Sequence, residues 1–436
     1  MEVLFILLFV AVLLGFVIAD ISIVYALLIG YAIFFVYALK KGFGALDVLK
    51  MSANGILSAK NIIINFLLIG MLTALWRASG TIPSIVCYAV KIMHPSIIVV
   101  ISFLLTCLVS FLTGTAFGTS ATMGAICMTI ALTLGVEPMI MGGAIISGAY
   151  FGDRCSPVST SALLIAELTK TNLYDNIKKM LSSAVVPFVA SCAFFTILGF
   201  AFSPENAQIM DVNSLFSNEF KLGLVPLIPA VLILILSFAR LNVKITMLAS
   251  ILASAIICIL YQNASSLDVL AYSFSGYEAT NTAVAKMING GGIVSMLRVG
   301  AIVCISSSYS GIFQKTPLLN SVKSVIVKSS QKISTYAVTL ITSLVAASIA
   351  CNQTLTIMLT DQLCNEMESD KKRVAIFLEN SAVVVSSLFP WSIACRVPLD
   401  SVGAPTSSLI FAAFLILLPV WSLFIWRKRS TPAQTQ

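Results

Sequence analysis

Apolar residues recur along this chain in long runs, from Leu4 to Trp426. A bilayer offers no water to backbone N–H and C=O groups, so an apolar run of about 20 residues predicts a membrane-spanning helix. Several runs are shorter than this, and their helices must extend into the flanking residues. The clear runs are Val3–Ile18, Ile21–Leu39, Ile62–Trp76, Ile97–Leu112, Leu181–Phe202, Leu222–Ala239, Ile245–Tyr261, Ile293–Ser306, Tyr336–Ala350 and Ala404–Trp426.

Four further segments are only weakly apolar, because Gly, Pro, Ser and Thr interrupt them. Irregular backbone is tolerated at membrane depth only where protein or a cavity surrounds it. We therefore expect an all-α polytopic membrane protein with about 11–14 membrane segments, some of them broken or re-entrant. Whether the first and third of these segments cross the membrane or re-enter it stays open. The four segments are Thr113–Gly135, Met139–Leu164, Thr354–Glu366 and Val374–Val397.

The second half of the chain repeats short motifs of the first half in the same order. Leu46–Leu49 recurs as Leu267–Leu270, and Ser156–Ser159 has a counterpart in Phe389–Ser392. Lysines precede the Leu75–Gly80 element of the first half but follow its counterpart in the second. Opposite charge placement in equivalent loops is typical of an inverted-topology repeat, whose two halves cross the membrane in opposite directions.

The repeat divides the chain into five predicted parts. These are an N-terminal transmembrane hairpin (1–42), a first repeat (43–180), connecting transmembrane segments (181–265), a second, inverted repeat (266–403), and a C-terminal transmembrane helix with a cytoplasmic tail (404–436).

Composition agrees with a membrane protein and excludes other classes. Hydrophobic residues make up 58% of the 436 residues and charged residues 10%, against roughly 45–50% and about 25% in soluble domains. The net charge of +8 is spread through short loops, which disfavours nucleic acid as a partner. A single histidine, His94, and ten cysteines without a C-x-x-C pair indicate no resident metal, no cofactor and no enzyme active site.

Loop charges predict the orientation, because Lys and Arg concentrate in cytoplasmic loops. Three basic clusters would then be cytoplasmic, whereas residues 203–220 carry three acids and no Lys or Arg and suit the outer face. We expect a multi-pass protein of a bacterial-style inner (plasma) membrane, with lipid as its surroundings, both termini cytoplasmic, and a homodimer as a compatible assembly. The clusters are Lys40, Lys41, Lys50 and Lys60; Lys315, Lys323, Lys328 and Lys332; and Arg427, Lys428 and Arg429.

Inverted repeats with a broken segment in each half are typical of secondary transporters. The N-terminus of a half-helix favours an anion, and carbonyls freed by the break favour Na⁺. In the first half, Gly118 permits a tight reversal, and Thr119 and Ser120 offer hydroxyl oxygens beside it. The alternative is that these small residues let helices pack closely.

The second candidate element of the first half surrounds Pro157, which removes a helix N–H and frees a carbonyl one turn earlier. Asp153 is an ionisable group in a membrane segment, where burial is costly and usually functional. Ser156, Ser159 and Thr160 add hydroxyl oxygens beside it. The alternative is a solvated loop with an ordinary Asp–Arg pair.

In the second half, apolar sequence flanks Glu379 on both sides, which makes it the best candidate for an intramembrane carboxylate. The alternative is a Glu paired with an Arg at a helix end. The neighbouring amides and hydroxyls can serve as neutral oxygen ligands for Na⁺ or as donors to a carboxylate. The further candidates of this half are Asn352, Thr354, Asn380 and Ser392, with a helix break at Pro390.

At these motifs the sequence resembles the NhaC-type sodium/proton antiporter family, part of a wider ion-transporter superfamily whose members include malate/lactate antiporters. The resemblance runs from about Leu46 to Trp426 and rests on Gly118–Ser120, Phe151–Ser159, and Glu379 with Pro390-Trp391. It implies Na⁺-coupled exchange by movement of one repeat-built unit against a scaffold.

Three positions depart from the family pattern. The family commonly has Asp at the positions of Thr160 and Asn380, and Asn at the position of Ser392. Two carboxylates are thus replaced by neutral oxygen ligands. The leading hypothesis is a Na⁺/H⁺ antiporter in which both ions compete for Asp153 and Glu379, without any resident metal beyond transported Na⁺. The alternative is a Na⁺-coupled carrier of an organic anion or amino acid with little or no proton coupling.

Overall fold

The computed structural model describes residues 2–19, 21–58, 60–90, 94–157, 159–202, 212–239, 241, 243–281, 284–285, 288–316, 333–350 and 352–427. All regular secondary structure of the described residues is helical, apart from one isolated β-bridge between Tyr277 and Gly290. The helices of the first half are α1 (Glu2–Ile18), α2 (Ile23–Lys40), α3 (Ala45–Ser58), α4 (Lys60–Ala78), α5 (Thr81–Val90), α6 (Pro95–Thr113), α7 (Ala116–Thr119), a π-helical turn (Ser120–Gly124), α8 (Ala125–Thr133), α9 (Pro138–Cys155), α10 (Thr160–Thr169) and α11 (Leu173–Ala201).

The second half repeats this order of long helices, short helices and breaks. Its helices are α12 (Val212–Ser217), a 3₁₀ turn (Val225–Leu227), α13 (Ile228–Phe238), α14 (Val243–Leu260), α15 (Ser266–Ser275), α16 (Gly292–Ser295), α17 (Leu297–Lys315), α18 (Thr335–Ala350), α19 (Gln353–Cys364), α20 (Lys371–Asn380), α21 (Ala382–Val385), a 3₁₀ turn (Ser386–Leu388), α22 (Ile393–Val402), a 3₁₀ helix (Thr406–Phe411) and α23 (Ala413–Ile425).

Helices α6 and α9 run parallel and approach each other closely through two glycines of α9. A Cβ at Gly148 would lie 2.0 Å from Thr106 Oγ1, and one at Gly152 would lie 2.3 Å from the Phe111 nitrogen. Such small-xxx-small spacing lets membrane helices bring their backbones together. Since α6 and α9 point the same way, the segment α7–α8 between them must return toward the end where α6 begins.

Helices α18 and α20 repeat this arrangement in the second half, with α19 as the returning segment. The Tyr336 hydroxyl, at the start of α18, donates to the Asn380 carbonyl (3.0 Å), and Trp391 donates to the Ser348 carbonyl near the end of α18 (2.9 Å), so the segment from α20 to the second-half break runs parallel to α18.

Helix α11 relates the directions of the two pairs. It runs antiparallel to α6, since Gly199 lies against Ser96 and Phe195 stacks on Phe103. Its start meets the start of α20 through the ion pair Lys372–Asp175 (3.1 Å), and Ser183 donates to Asn380 at the end of α20 (3.5 Å), so α11 and α20 run parallel. The two pairs therefore point in opposite directions, as an inverted repeat requires.

The remaining helices form a second unit in which elements of the two halves are exchanged. Helix α3 of the first half packs on α17 of the second, and α15 of the second half packs on α4 of the first. At the α3–α17 crossing, a Cβ at Gly55 would lie 2.0 Å from the Ser307 carbonyl oxygen, and one at Gly311 would lie 2.1 Å from that of Met51. Trp76 of α4 donates to Ser250 of α14 (2.8 Å). We call these helices, α1–α4 and α13–α17, the scaffold unit, and α6–α11 with α18–α23 the core unit.

The prediction of an all-α polytopic membrane protein is confirmed. Among the described residues, three helices are long and apolar enough to span a bilayer, or up to five if each of two bent pairs counts as one span. Seven shorter apolar helices of 10–17 residues accompany them, so the predicted count of membrane segments stays a prediction. So do the five predicted parts of the chain. Residues 203–211 of the loop 203–220, the lysines of 317–332 and the tail from residue 428 lie outside the described residues.

Candidate functional site

Two helix breaks in the core unit have the same construction. Helix α9 ends at Cys155, Ser156 adopts an extended conformation before Pro157, and Ser159 caps α10 by accepting from the Ser161 N–H (3.2 Å). The residue before a proline is disfavoured from helical geometry, and a serine cap then restarts the helix.

The second-half break follows the same sequence of steps. The 3₁₀ turn ends at Leu388, Phe389 is extended before Pro390, and Ser392 caps α22 by accepting from the Ala394 N–H (3.2 Å). The two arms meet at 57°. Both predicted proline breaks are therefore present in the structure.

The first-half reversal differs from its predicted position. The chain reverses at Gly114, which takes a left-handed conformation (φ 64°), and not at Gly118, which lies inside α7. Thr115 restarts the helix as its cap, so the hydroxyl that the turn requires comes from this residue. Thr119 and Ser120 are buried, but Thr119 contacts Thr113 (3.2 Å) and Ser120 donates to its own helix at Ala116.

Asp153 lies in the last turn of α9 and is 5% exposed. Its Oδ1 accepts from Ser159 Oγ (3.1 Å), and its Oδ2 accepts from Gln353 Nε2 (3.3 Å) and Ser161 Oγ (3.5 Å). The carboxylate is thus held by hydroxyls of α10 and by an amide of the second half. The alternative of a solvated Asp–Arg loop is wrong, because Arg154 is also fully buried.

The Arg154 guanidinium has five N–H donors, and five acceptors surround it. Nε donates to the Glu379 carbonyl (3.1 Å), and one terminal nitrogen donates to the Met180 carbonyl (3.2 Å) and to the adjacent Cys155 sulfur (3.4 Å). The other terminal nitrogen donates to Ser183 Oγ (3.0 Å) and Asn380 Oδ1. Every donor is therefore directed to a neutral acceptor.

The Glu379 carboxylate lies beside this cation without a hydrogen bond from it. Glu379 is fully buried, and within the described chain neither of its oxygens has a hydrogen-bond partner. Arg154 and Asp153 are the charged groups that act on it electrostatically. A pairing of this carboxylate with Arg at a helix end, the alternative interpretation, is therefore not what the structure describes.

Asn380 connects three helices at the same place. It accepts from Arg154 and donates to Ser422 Oγ of α23 (2.8 Å), while its carbonyl accepts from Tyr336 of α18. Four predicted residues thus lie in two buried hydrogen-bonded clusters of the core unit, which surround the adjacent residues Asp153 and Arg154. Asp153 and Ser159 belong to the first cluster, and Asn380 and the Glu379 carbonyl belong to the second.

Other predicted residues lie at the ends of helices. Ser156 is buried and ends α9, whereas Thr160 and Thr354 are exposed at the first turns of their helices. Asn352 caps α19 by accepting from the Leu355 N–H (2.8 Å), and Ser392 is a cap as described above.

Five members of these clusters are not among the predicted site residues: Gln353, Ser161, Arg154, Ser183 and Ser422. Gln353 follows Asn352 directly, and a pair of adjacent amides at a helix start was the signal that could have found it. One of the two caps the helix, which leaves the other free to reach across.

This fold, with ionisable side chains buried at broken helices of opposite orientation, defines the class: a polytopic membrane transporter of the secondary type. Comparison with known proteins identifies the group within this class. The model of the Na⁺/H⁺ antiporter family matches residues 1–167 and 148–425, and the chain belongs to this family.

Three relatives illustrate the range within the family. The chain is 26% identical over 395 residues to the malate-2H⁺/Na⁺-lactate antiporter of Bacillus subtilis (strain 168), covering 88% of this chain and 84% of the relative. It is 26% identical over 367 residues to the Na⁺/H⁺ antiporter NhaC of Alkalihalophilus pseudofirmus, covering 82% and 79%. It is 24% identical over 407 residues to the arginine/ornithine antiporter ArcD of Halobacterium salinarum, covering 88% and 84%.

Proposed function

We propose that this chain exchanges Na⁺ for protons across the plasma membrane. The observation that carries the proposal is the buried Glu379 carboxylate, which has no hydrogen-bond partner in the described chain although a fully engaged Arg154 lies beside it. A carboxylate in such surroundings must either bind a proton or pair with a cation, because a bare buried charge is costly. These are the two states that an exchanger alternates between.

Asp153 is the second ionisable group of the proposed site. The hydroxyls and the amide around it are neutral groups that can hold a carboxylate and can supply oxygen ligands to an alkali cation. Na⁺ and H⁺ would compete for Asp153 and Glu379, so each half-cycle carries one ion or the other. The core unit would carry the site from one side to the other by moving against the scaffold unit.

Basic side chains at one end of the core unit support an orientation. Lys372 with Asp175, and Arg373 with the ring of Trp426 (5.6 Å), bring the starts of α20 and α11 and the end of α23 together. A different place in the core unit carries acids instead: at the start of α9 and the end of α22, Glu137 and Asp400 line a cavity of about 620 Å³. By the positive-inside rule we assign the basic end, and with it both termini, to the cytoplasm.

A Na⁺-coupled carrier of an organic anion or amino acid is the second candidate. It is favoured by the similarity to the malate-2H⁺/Na⁺-lactate antiporter and by the neutral Asn380 at a position where the family commonly has Asp. A neutral residue there removes one carboxylate that would repel a substrate carboxylate.

Purified protein in liposomes that contain a pH-sensitive dye separates the two candidates. An imposed Na⁺ gradient without organic solute should change the internal pH if the chain exchanges Na⁺ for protons. Absence of a pH change, combined with Na⁺-driven uptake of malate, lactate or an amino acid by the same vesicles, would instead establish the organic-solute carrier.

A further inference from the structure

Gln353 is the first residue of α19 and lies at the tip of the returning hairpin formed with α18. Its Nε2 donates to Asp153 Oδ2 (3.3 Å) and to the Val383 carbonyl (3.2 Å). A carboxamide nitrogen has two hydrogens, so both are engaged by these acceptors. One amide thus links the end of α9, the tip of the hairpin and α21.

The two acceptors converge on a point that suits a small cation. One is a carboxylate oxygen, and the other is the main-chain carbonyl of Val383 in the short helix α21, which precedes the 3₁₀ turn that leads to the second-half break. Ser159 Oγ lies 3.1 Å from the other oxygen of the same carboxylate. Hard monovalent and divalent cations prefer oxygen ligands of this kind.

A transition metal fits this point poorly. Within the described residues, no group of three or more His, Cys, Asp and Glu side chains could hold a metal ion. The oxygens here are mostly neutral, with a single carboxylate among them. This donor set matches a weakly charged alkali cation better than a divalent one.

We propose that transported Na⁺ binds between Asp153 Oδ2 and the Val383 carbonyl, where it replaces the hydrogen bonds from the Gln353 NH₂ group, and that Na⁺ binding turns the amide over. With Na⁺ between Asp153 Oδ2 and the Val383 carbonyl, rotation of the terminal torsion presents Gln353 Oε1 as a third ligand. Both acceptors are then satisfied with and without the ion. This inference rests on the proposed function, because it takes Na⁺ as the ion that is bound.

Replacement of Gln353 by Glu and by Leu tests the exchange of donor for ligand. A Glu carboxylate can accept a hydrogen bond or coordinate an ion but cannot donate, so Gln353→Glu should have a lower melting temperature without Na⁺. It should also lower the half-saturating Na⁺ concentration about tenfold, because it adds a negative charge within a few ångströms of the ion. Gln353→Leu can neither donate nor coordinate, and it should raise that concentration about tenfold. The measurement is thermal unfolding of detergent-purified full-length protein in NaCl against choline chloride of equal ionic strength, at alkaline pH.

Gln262 supplies a matched control on the scaffold unit. Its Nε2 also bridges two carbonyls, those of Ser79 (3.0 Å) and Lys221 (3.1 Å), and it lies between α14 and α15 of the scaffold unit. Gln262→Leu should lower the melting temperature equally in both salts and leave the half-saturating Na⁺ concentration unchanged.

The inference is overturned if Gln353→Glu binds Na⁺ as weakly as Gln353→Leu, since the amide would then be needed as a donor. It is also overturned if Na⁺ does not stabilise the wild-type protein. If Gln353→Glu does not fold, Gln353→Leu decides alone: an unchanged half-saturating concentration contradicts the inference. Na⁺ stabilisation of wild-type protein that moves no protons would contradict the proposed function and leave this ligand assignment standing.

Discussion

The two helix breaks of the core unit share a backbone design but not a chemistry. Each has an extended residue, a proline and a capping serine in the same order. Four and three residues before the proline, the first break carries Asp153 and Arg154, whereas the second carries Ser386 and Ser387.

The two serines of the second break donate to carbonyls of their own helix, Val383 (2.9 Å) and Val384 (2.6 Å). The second half instead contributes Glu379 from an earlier turn and Gln353 from the hairpin tip. Duplication therefore explains the shared backbone of the two breaks, but only the first break carries charged side chains.

This asymmetry has a physical reason. Carboxylates at both breaks would lie close together in a low-dielectric core, and like charges there disfavour each other's ionisation. Asp153 at the first break, Glu379 on α20 and the Arg154 cation together carry one net negative charge. A single monovalent cation can neutralise it. The two repeat-related breaks can then open to opposite sides of the membrane in turn, while the same ionisable side chains bind the ion.

Asp153→Asn should have the largest effect on transport. It should lower Na⁺-driven flux by more than about 100-fold, beyond what loss of an outer-sphere partner causes, because it removes a ligand that carries charge. Ser387→Ala, in the corresponding turn of the second break, should retain flux within about twofold, since it loses only a hydrogen bond to the Val384 carbonyl of its own helix. Equal losses in the two variants, measured in liposomes with matched amounts of inserted protein, would show that the breaks are functionally equivalent.

Gly152→Ala should destabilise the core unit by about 1–3 kcal/mol through overpacking of α9 against α6. The mirrored residue, Val385, is buried with its side chain in place, so the second break does not need such a close approach. Gly300→Ala on α17 is the control, since no atom of the described residues lies within 4 Å of a Cβ there. Thermal unfolding in detergent measures both, and a Gly152→Ala melting temperature equal to that of Gly300→Ala would contradict the packing.

Ser159→Ala and Ser392→Ala should separate capping from ion binding. Both lose an N-cap worth about 1 kcal/mol, but only Ser159 donates to a carboxylate. Ser159→Ala should therefore raise the half-saturating Na⁺ concentration about tenfold or more, because a hydrogen bond to a charged group contributes about 1.5–3 kcal/mol. Ser392→Ala should leave it unchanged, and a matching increase in that variant would restore Ser392 as a ligand, as the sequence predicts.

The sequence predicts the breaks and the buried acids well because their signals are local. Proline with a following serine specifies an interruption, and an acid within apolar sequence specifies a costly burial. The positions of Thr160, Thr354 and Gln353 depend on which way each restarted helix is rotated, which tertiary packing decides. The reversal at Gly114 was missed because several glycines and hydroxyls in one stretch compete for the same role.

The role of Glu379 in exchange is tested most directly by Na⁺-driven proton flux in liposomes that carry wild-type protein, Glu379→Gln or Glu167→Gln. Glu167 is an exposed acid of α10 and serves as the control. If Glu379 binds the exchanged ions, wild-type protein and Glu167→Gln should change the internal pH and Glu379→Gln should not, although all three are inserted and folded. A pH change at the wild-type rate with Glu379→Gln would contradict the proposed site.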